Sequence, residues 1–109
     1  AAVGTRAGRA ELNSDPARDL RRLKVPVLAL YGGLDLQVPA AAHAPAARAA
    51  FKAGRVADAT VVVFPKANHM FQRAATGRLS EYGAIEQTMD PAVLARLAAW
   101  IRRRTGLQN

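Results

Sequence analysis

Residues 25–39 read VPVLALYGGLDLQVP: an uncharged apolar run, two glycines, and then a single carboxylate, Asp35. A continuous apolar run of that length fits a strand buried on both faces, as in a parallel sheet. Pro26 pushes the residue before it into an extended conformation, so the strand is expected over Val25–Tyr31. A strand that runs through glycines to a lone acid sets that acid just beyond its carboxyl end. In open α/β sheets this is the edge where loops present functional groups over a rigid scaffold.

Upstream, Asp15-Pro16 is a helix start, with Asp15 as N-cap and Pro16 at the first helical position, where a missing N–H costs nothing. That helix is expected to end near Leu23, and residues 1–14 read as a loop or frayed end. Downstream, an alanine-rich stretch predicts a helix. Because a proline is disfavoured inside a helix, its regular part is expected to start near Ala44 or Pro45 and to end at Gly54 as a C′ glycine. TVVVF, residues 60–64, is a second β-branched strand. Strand, helix and strand in this order make a βαβ unit with parallel strands, so the fold class is α/β.

Residues 65–89 form a long connection with little periodicity, and loops of such length are usually functional or disordered. Asp90-Pro91 then repeats the earlier start signal. Val93, Leu94, Leu97, Trp100 and Ile101 recur at helical spacing as one apolar stripe that is expected to pack on the sheet. Arg102, Arg103 and Arg104 complement the dipole of the last turn, and Gly106 ends the helix.

Asp35 lies four residues past the first expected strand and His69 five past the second, 34 residues apart. Both therefore fall at the same edge of a parallel sheet. A carboxylate beside an imidazole fixes its tautomer and stabilises its protonated form, the orienting half of a nucleophile, base and acid triad.

VPVLALYGGLDLQVP, then a helix, then TVVVFPKANHMF and SEYGAIEQTMDPAVLARLAAWI, resembles the end of an α/β-hydrolase, in particular its esterase, dienelactone-hydrolase and prolyl-oligopeptidase-like branch. The likeness spans roughly residues 15–105. It implies that Asp35 is the triad acid and His69 the triad base, in a serine hydrolase acting on ester or related acyl substrates. The pattern departs from such enzymes in one respect: they carry their serine on a G-x-S-x-G elbow upstream of the acid. The serines here are Ser14 and Ser80, in LNSDP and RLSEY, and neither sits at a strand-to-helix turn. The expectation is therefore a carboxy-terminal hydrolase portion, residues 15–109, inactive alone; a start at Ala1 rather than Met agrees with an excised piece.

Other groupings carry less. His43 and His69 lack a third ligand, so no metal is expected, and no cofactor. Glu81 and Glu86 lack the geometric support a glycosidase pair needs. Tyr82 and Phe71 are candidates to line a pocket. With no cysteine, disulfides and thiolate chemistry are excluded. No run is apolar and long enough to span a membrane, and no signal peptide opens the chain; the expected setting is soluble, in the bacterial cytoplasm. Lys and Arg number 16 against 8 Asp and Glu, a formal charge of +8. A non-catalytic, self-associating α/β module with an anion- or nucleic-acid-binding surface is thus the alternative. The basic residues are scattered and have few aromatics among them, which disfavours nucleic acid. Finally, two parallel strands leave unpaired backbone at both flanks. The missing amino-terminal hydrolase portion, or further copies joined through the sheet edges, is expected to complete the sheet.

Overall fold

The computed structural model describes residues 15–106, so the expectation for residues 1–14 lies outside the described residues. Its elements are α1 (Pro16–Arg21), β1 (Val27–Gly32), α2 (Ala40–Ala53), β2 (Ala59–Phe64), a 3₁₀ turn (Leu79–Ala84) and α3 (Pro91–Thr105). The strands pair in parallel, in register from Val27 opposite Ala59 to Gly32 opposite Phe64, with α2 as the crossover. The βαβ unit and the α/β class are thus observed.

Local chemistry explains the boundaries. The Asp15 carboxylate accepts a hydrogen bond from the Arg18 amide at 3.1 Å, capping α1. Asp90 does the same for α3, accepting from Ala92 at 3.0 Å, and Gly106 closes that helix at φ 71°. α1 stops at Arg21, two residues before the expected end.

The crossover helix differs from expectation at both ends. α2 begins at Ala40, with Pro39 as N-cap, and Pro45 lies inside it. Pro45 removes the N–H that would have bonded the Ala41 carbonyl. Both residues are exposed, which leaves that carbonyl open to water. The gain lies on the opposite face, where Ala40, Ala44, Ala47, Ala50 and Phe51 are all buried. At the carboxyl end Gly54 is right-handed, at φ −82°, and the left-handed residue is Arg55, at φ 53°. Glycine is needed at 54 for space, since a Cβ there would run into the backbone of Arg21, where α1 packs on α2.

The strands are also less covered than a doubly buried pair. Val27–Tyr31 and all of β2 are half-buried, because among the described residues each strand has one edge without a partner strand and α2 is the helix lying closest to both. Apart from Phe51, the buried apolar residues are small: the alanines of the α2 face, Ala67 and Val93. In α3 the stripe is buried at Val93, half-buried at Leu97 and Trp100, and exposed at Leu94 and Ile101. Rather than lying on the sheet along its whole length, α3 is pinned at its two ends. The Asp90 amide donates to the Phe71 carbonyl at 2.8 Å. The Arg104 guanidinium grips both oxygens of Asp58, at 2.7 and 2.5 Å, while lying 4.2 Å over the Trp100 ring.

Candidate functional site

Asp35 and His69 meet. The His69 Nδ1 lies 2.9 Å from the Asp35 Oδ2. Both follow the carboxyl ends of their strands, and the loops carrying them are joined by backbone hydrogen bonds: the Gly33 amide donates to the Phe64 carbonyl and the Leu34 amide to the Ala67 carbonyl, each at 2.8 Å. The glycine pair makes this approach possible. A Cβ at Gly32 would meet the carbonyl oxygens of Ala67 and Asn68 at 2.6 and 2.7 Å, and one at Gly33 would meet Pro65 at 2.6 Å. The two glycines between strand and acid are thus where the acid loop presses against the histidine loop.

Asp35 is held by more than the imidazole. Its Oδ1 accepts from the Gln37 and Val38 amides, both at 2.8 Å, which leaves Oδ2 to face His69. Burial acts to raise its pKa; the Val38 amide, His69 and the Gln37 amide together outweigh burial, so the carboxyl sits below its ordinary value. At neutral pH it is a fixed anion. An ionised carboxylate can only accept, so Nδ1 donates its proton to Asp35, and in the neutral imidazole Nε2 is then the accepting nitrogen. No described residue hydrogen-bonds Nε2. The His69 side chain is 36% exposed and that of Asp35 8%, so the imidazole reaches solvent and the carboxylate is nearly shut off from it.

The histidine loop is built by a residue that sequence reasoning passed over. Asn68, fully buried, accepts from the Met70 and Gln72 amides through Oδ1 at 3.0 Å and donates through Nδ2 to the Gln72 Oε1 at 2.9 Å. Gln72 donates in turn to the Gln87 carbonyl at 3.1 Å, and the Gln87 side chain accepts from the Arg73 amide at 2.7 Å. An antiparallel bridge between Ala67 and Arg73 closes the loop, and Phe71 takes a left-handed φ of 57° within it. The signal was present in NHMFQ: an asparagine followed by free backbone amides forms such turns with its side chain.

The other sequence candidates are not brought to the pair. His43 is exposed in the first turn of α2. Glu81 serves structure: its carboxylate accepts from the Ala75, Thr76 and Gly77 amides at 2.8 to 3.2 Å. The hydrogen bond from Ala75, followed by that from Gly77, holds its pKa below the ordinary value. Glu86 is exposed. Tyr82 and Ser80 line a cleft of about 490 Å³ with Leu36, Gln37 and Leu79, beside Asp35 in the chain. Phe71 instead packs edge-on against Phe64, ring centroids 6.5 Å apart. Ser80 has no hydrogen bond to His69, and Ser14 lies outside the described residues. Among the described residues no three His, Cys, Asp or Glu side chains cluster as metal ligands.

Strand, crossover helix, parallel strand and closing helix, in that order, agree with a partial fold of the α/β-hydrolase type. The chain belongs to the dienelactone hydrolase family, whose model matches residues 5–101. No curated protein and no solved structure matches it. No helix among the described residues is long and apolar enough to cross a membrane.

Proposed function

We propose that this chain supplies the acid and the base of a serine-hydrolase site for ester or related acyl substrates, and that the nucleophile comes from polypeptide outside its 109 residues. The observation that carries the reading is the 2.9 Å contact between the Asp35 Oδ2 and the His69 Nδ1. It leaves Nε2 as the accepting nitrogen. In the assembled site Nε2 takes the proton of the attacking hydroxyl, Asp35 stabilises the imidazolium, and the same proton passes to the leaving group. Two features support a nucleophile from elsewhere: no G-x-S-x-G elbow occurs in the sequence, and Ser80 makes no hydrogen bond to the imidazole. The half-buried strands, each with one edge unpartnered among the described residues, support a sheet completed by that same polypeptide, or by a second copy of this chain.

The test is p-nitrophenyl acetate hydrolysis by the 109-residue chain, alone and mixed with a family polypeptide that carries the serine elbow. Alone, the chain is expected to match an equal concentration of free imidazole. The complex is expected to turn over, to lose activity in His69→Ala, and to lose about 10⁴-fold in Asp35→Asn, as when a triad histidine adopts the wrong tautomer. Turnover by the chain alone that disappears in His69→Ala would place the nucleophile within it and overturn the proposal. A monodisperse monomer in light scattering at micromolar concentration would exclude completion of the sheet by second copies.

A further inference from the structure

At the end of the sheet opposite Asp35 and His69, the segments leading into β1 and β2 line an open cavity of about 430 Å³. Its lining has two characters. Leu23, Val25, Pro26 and Val56 are apolar, whereas Arg21, Arg22, Lys24 and Arg55 are cationic and exposed. None of these four cations is ion-paired to a described residue; the paired arginines are Arg18, on Asp19, and Arg104, on Asp58. Asp58 is the one acid in the lining, and both its oxygens are taken by Arg104. Among the described residues, the four cations at the cavity therefore have no acid paired with them.

Arg55 adds a second observation. It occupies the left-handed position that ends α2, at φ 53°, where glycine or asparagine is the usual choice. An arginine at that position places a fourth cation at the cavity.

We propose that this cavity binds a small organic phosphate, its head held by Arg21, Arg22, Lys24 and Arg55 and its short apolar body by Leu23, Val25, Pro26 and Val56. Guanidinium groups match the several oxygens of a phosphate. The volume is that of a small-molecule pocket, and no aromatic residue in the lining offers a stacking platform for a nucleic acid. The strands between this cavity and the acid–base pair are six residues long, roughly 20 Å at about 3.3 Å per residue. The site is therefore separate from the hydrolytic one, and neither reading depends on the other.

Calorimetric titration of the 109-residue chain with n-butyl phosphate and with inorganic phosphate, at low salt, tests this. The expected result is one-to-one saturation, tighter for n-butyl phosphate, with amide NMR shifts at Val56 and Ala57. Arg55→Gly, which suits the backbone, and Arg22→Gln are each expected to weaken binding about three- to tenfold. Arg102→Gln, in the exposed terminal run, and His69→Ala are expected to leave it unchanged. Equal binding in Arg55→Gly and Arg22→Gln, or equal weakening in Arg102→Gln, would overturn the proposal. So would steeply salt-dependent binding of an oligonucleotide with none of n-butyl phosphate.

Discussion

Replacing Gly32 with alanine tests whether the glycine pair sets the acid–base geometry. The new Cβ would lie 2.6 Å from the Ala67 carbonyl oxygen and 2.7 Å from that of Asn68. Carbon and oxygen in contact settle at about 3.3–3.6 Å, so the two segments must part by at least about 0.6 Å. Both oxygens belong to the residues just ahead of His69. A displacement of that size, passed to the imidazole, stretches the 2.9 Å contact with Asp35 to about 3.5 Å, the edge of hydrogen-bonding range. Overpacking of this kind costs about 1–3 kcal/mol, and the loss of glycine's freedom in the unfolded chain returns about 0.4–1 kcal/mol. The net loss is roughly 1–2 kcal/mol. At about 4–8 °C per kcal/mol for a domain near this size, Gly32→Ala should melt on the order of 10 °C lower. Gly83→Ala is the control, because nothing lies within 4 Å of a Cβ there. Thermal unfolding at pH 7 reads the stability, and imidazole nitrogen NMR reads the contact. A Gly32→Ala variant that melts with the wild type and leaves the His69 resonances unmoved would refute the reasoning.

Two further outcomes are expected. Asn68→Ala leaves the part-buried Met70 and Gln72 amides without the acceptor that the fully buried Asn68 supplies; toward the lower end of about 1–3 kcal/mol per unsatisfied group, a loss of roughly 2–4 kcal/mol in urea unfolding is expected, and a loss under about 1 kcal/mol would show that the loop holds without it. Asp35, Asp58 and Glu81 all titrate below their ordinary values of 3.8, 3.8 and 4.5. The unfolded chain therefore binds more protons than the folded one in that range, so their contribution is complete above those values and is lost as pH falls through the folded ones. The urea midpoint should hold above about pH 5 and fall below it, less steeply in Glu81→Gln; identical acid limbs in the two proteins would remove Glu81 from the account.

The order of elements was legible because each has a local cause. Apolar β-branched runs make the strands, and Asp15-Pro16 and Asp90-Pro91 start helices wherever they fall. Asp35 and His69 were legible as a pair because parallel strands joined by one crossover leave their ends side by side. The errors arose where tertiary packing outweighs local preference. Pro45 forbids an early start for α2 only while its neighbours are considered alone; burial of the Ala40, Ala44 and Ala47 face reverses the balance. Gly54 read as a left-handed cap, but it is glycine because α1 crosses there. The connection over 65–89 showed no period because its order comes from side chains bonded to nearby amides, Asn68 and Glu81 above all, and such bonds leave no repeat in a sequence.

The seating of α3 has a practical consequence. Trp100 is the only tryptophan in the chain, and the guanidinium over its ring is the one that holds Asp58. Its indole N–H is buried without a hydrogen-bond partner among the described residues. Intrinsic fluorescence thus reports, with no added label, whether the closing helix is docked on the turn before β2. Since Asp58 also lines the cavity at that end of the sheet, the same emission band reads whether the helix is seated beside that cavity.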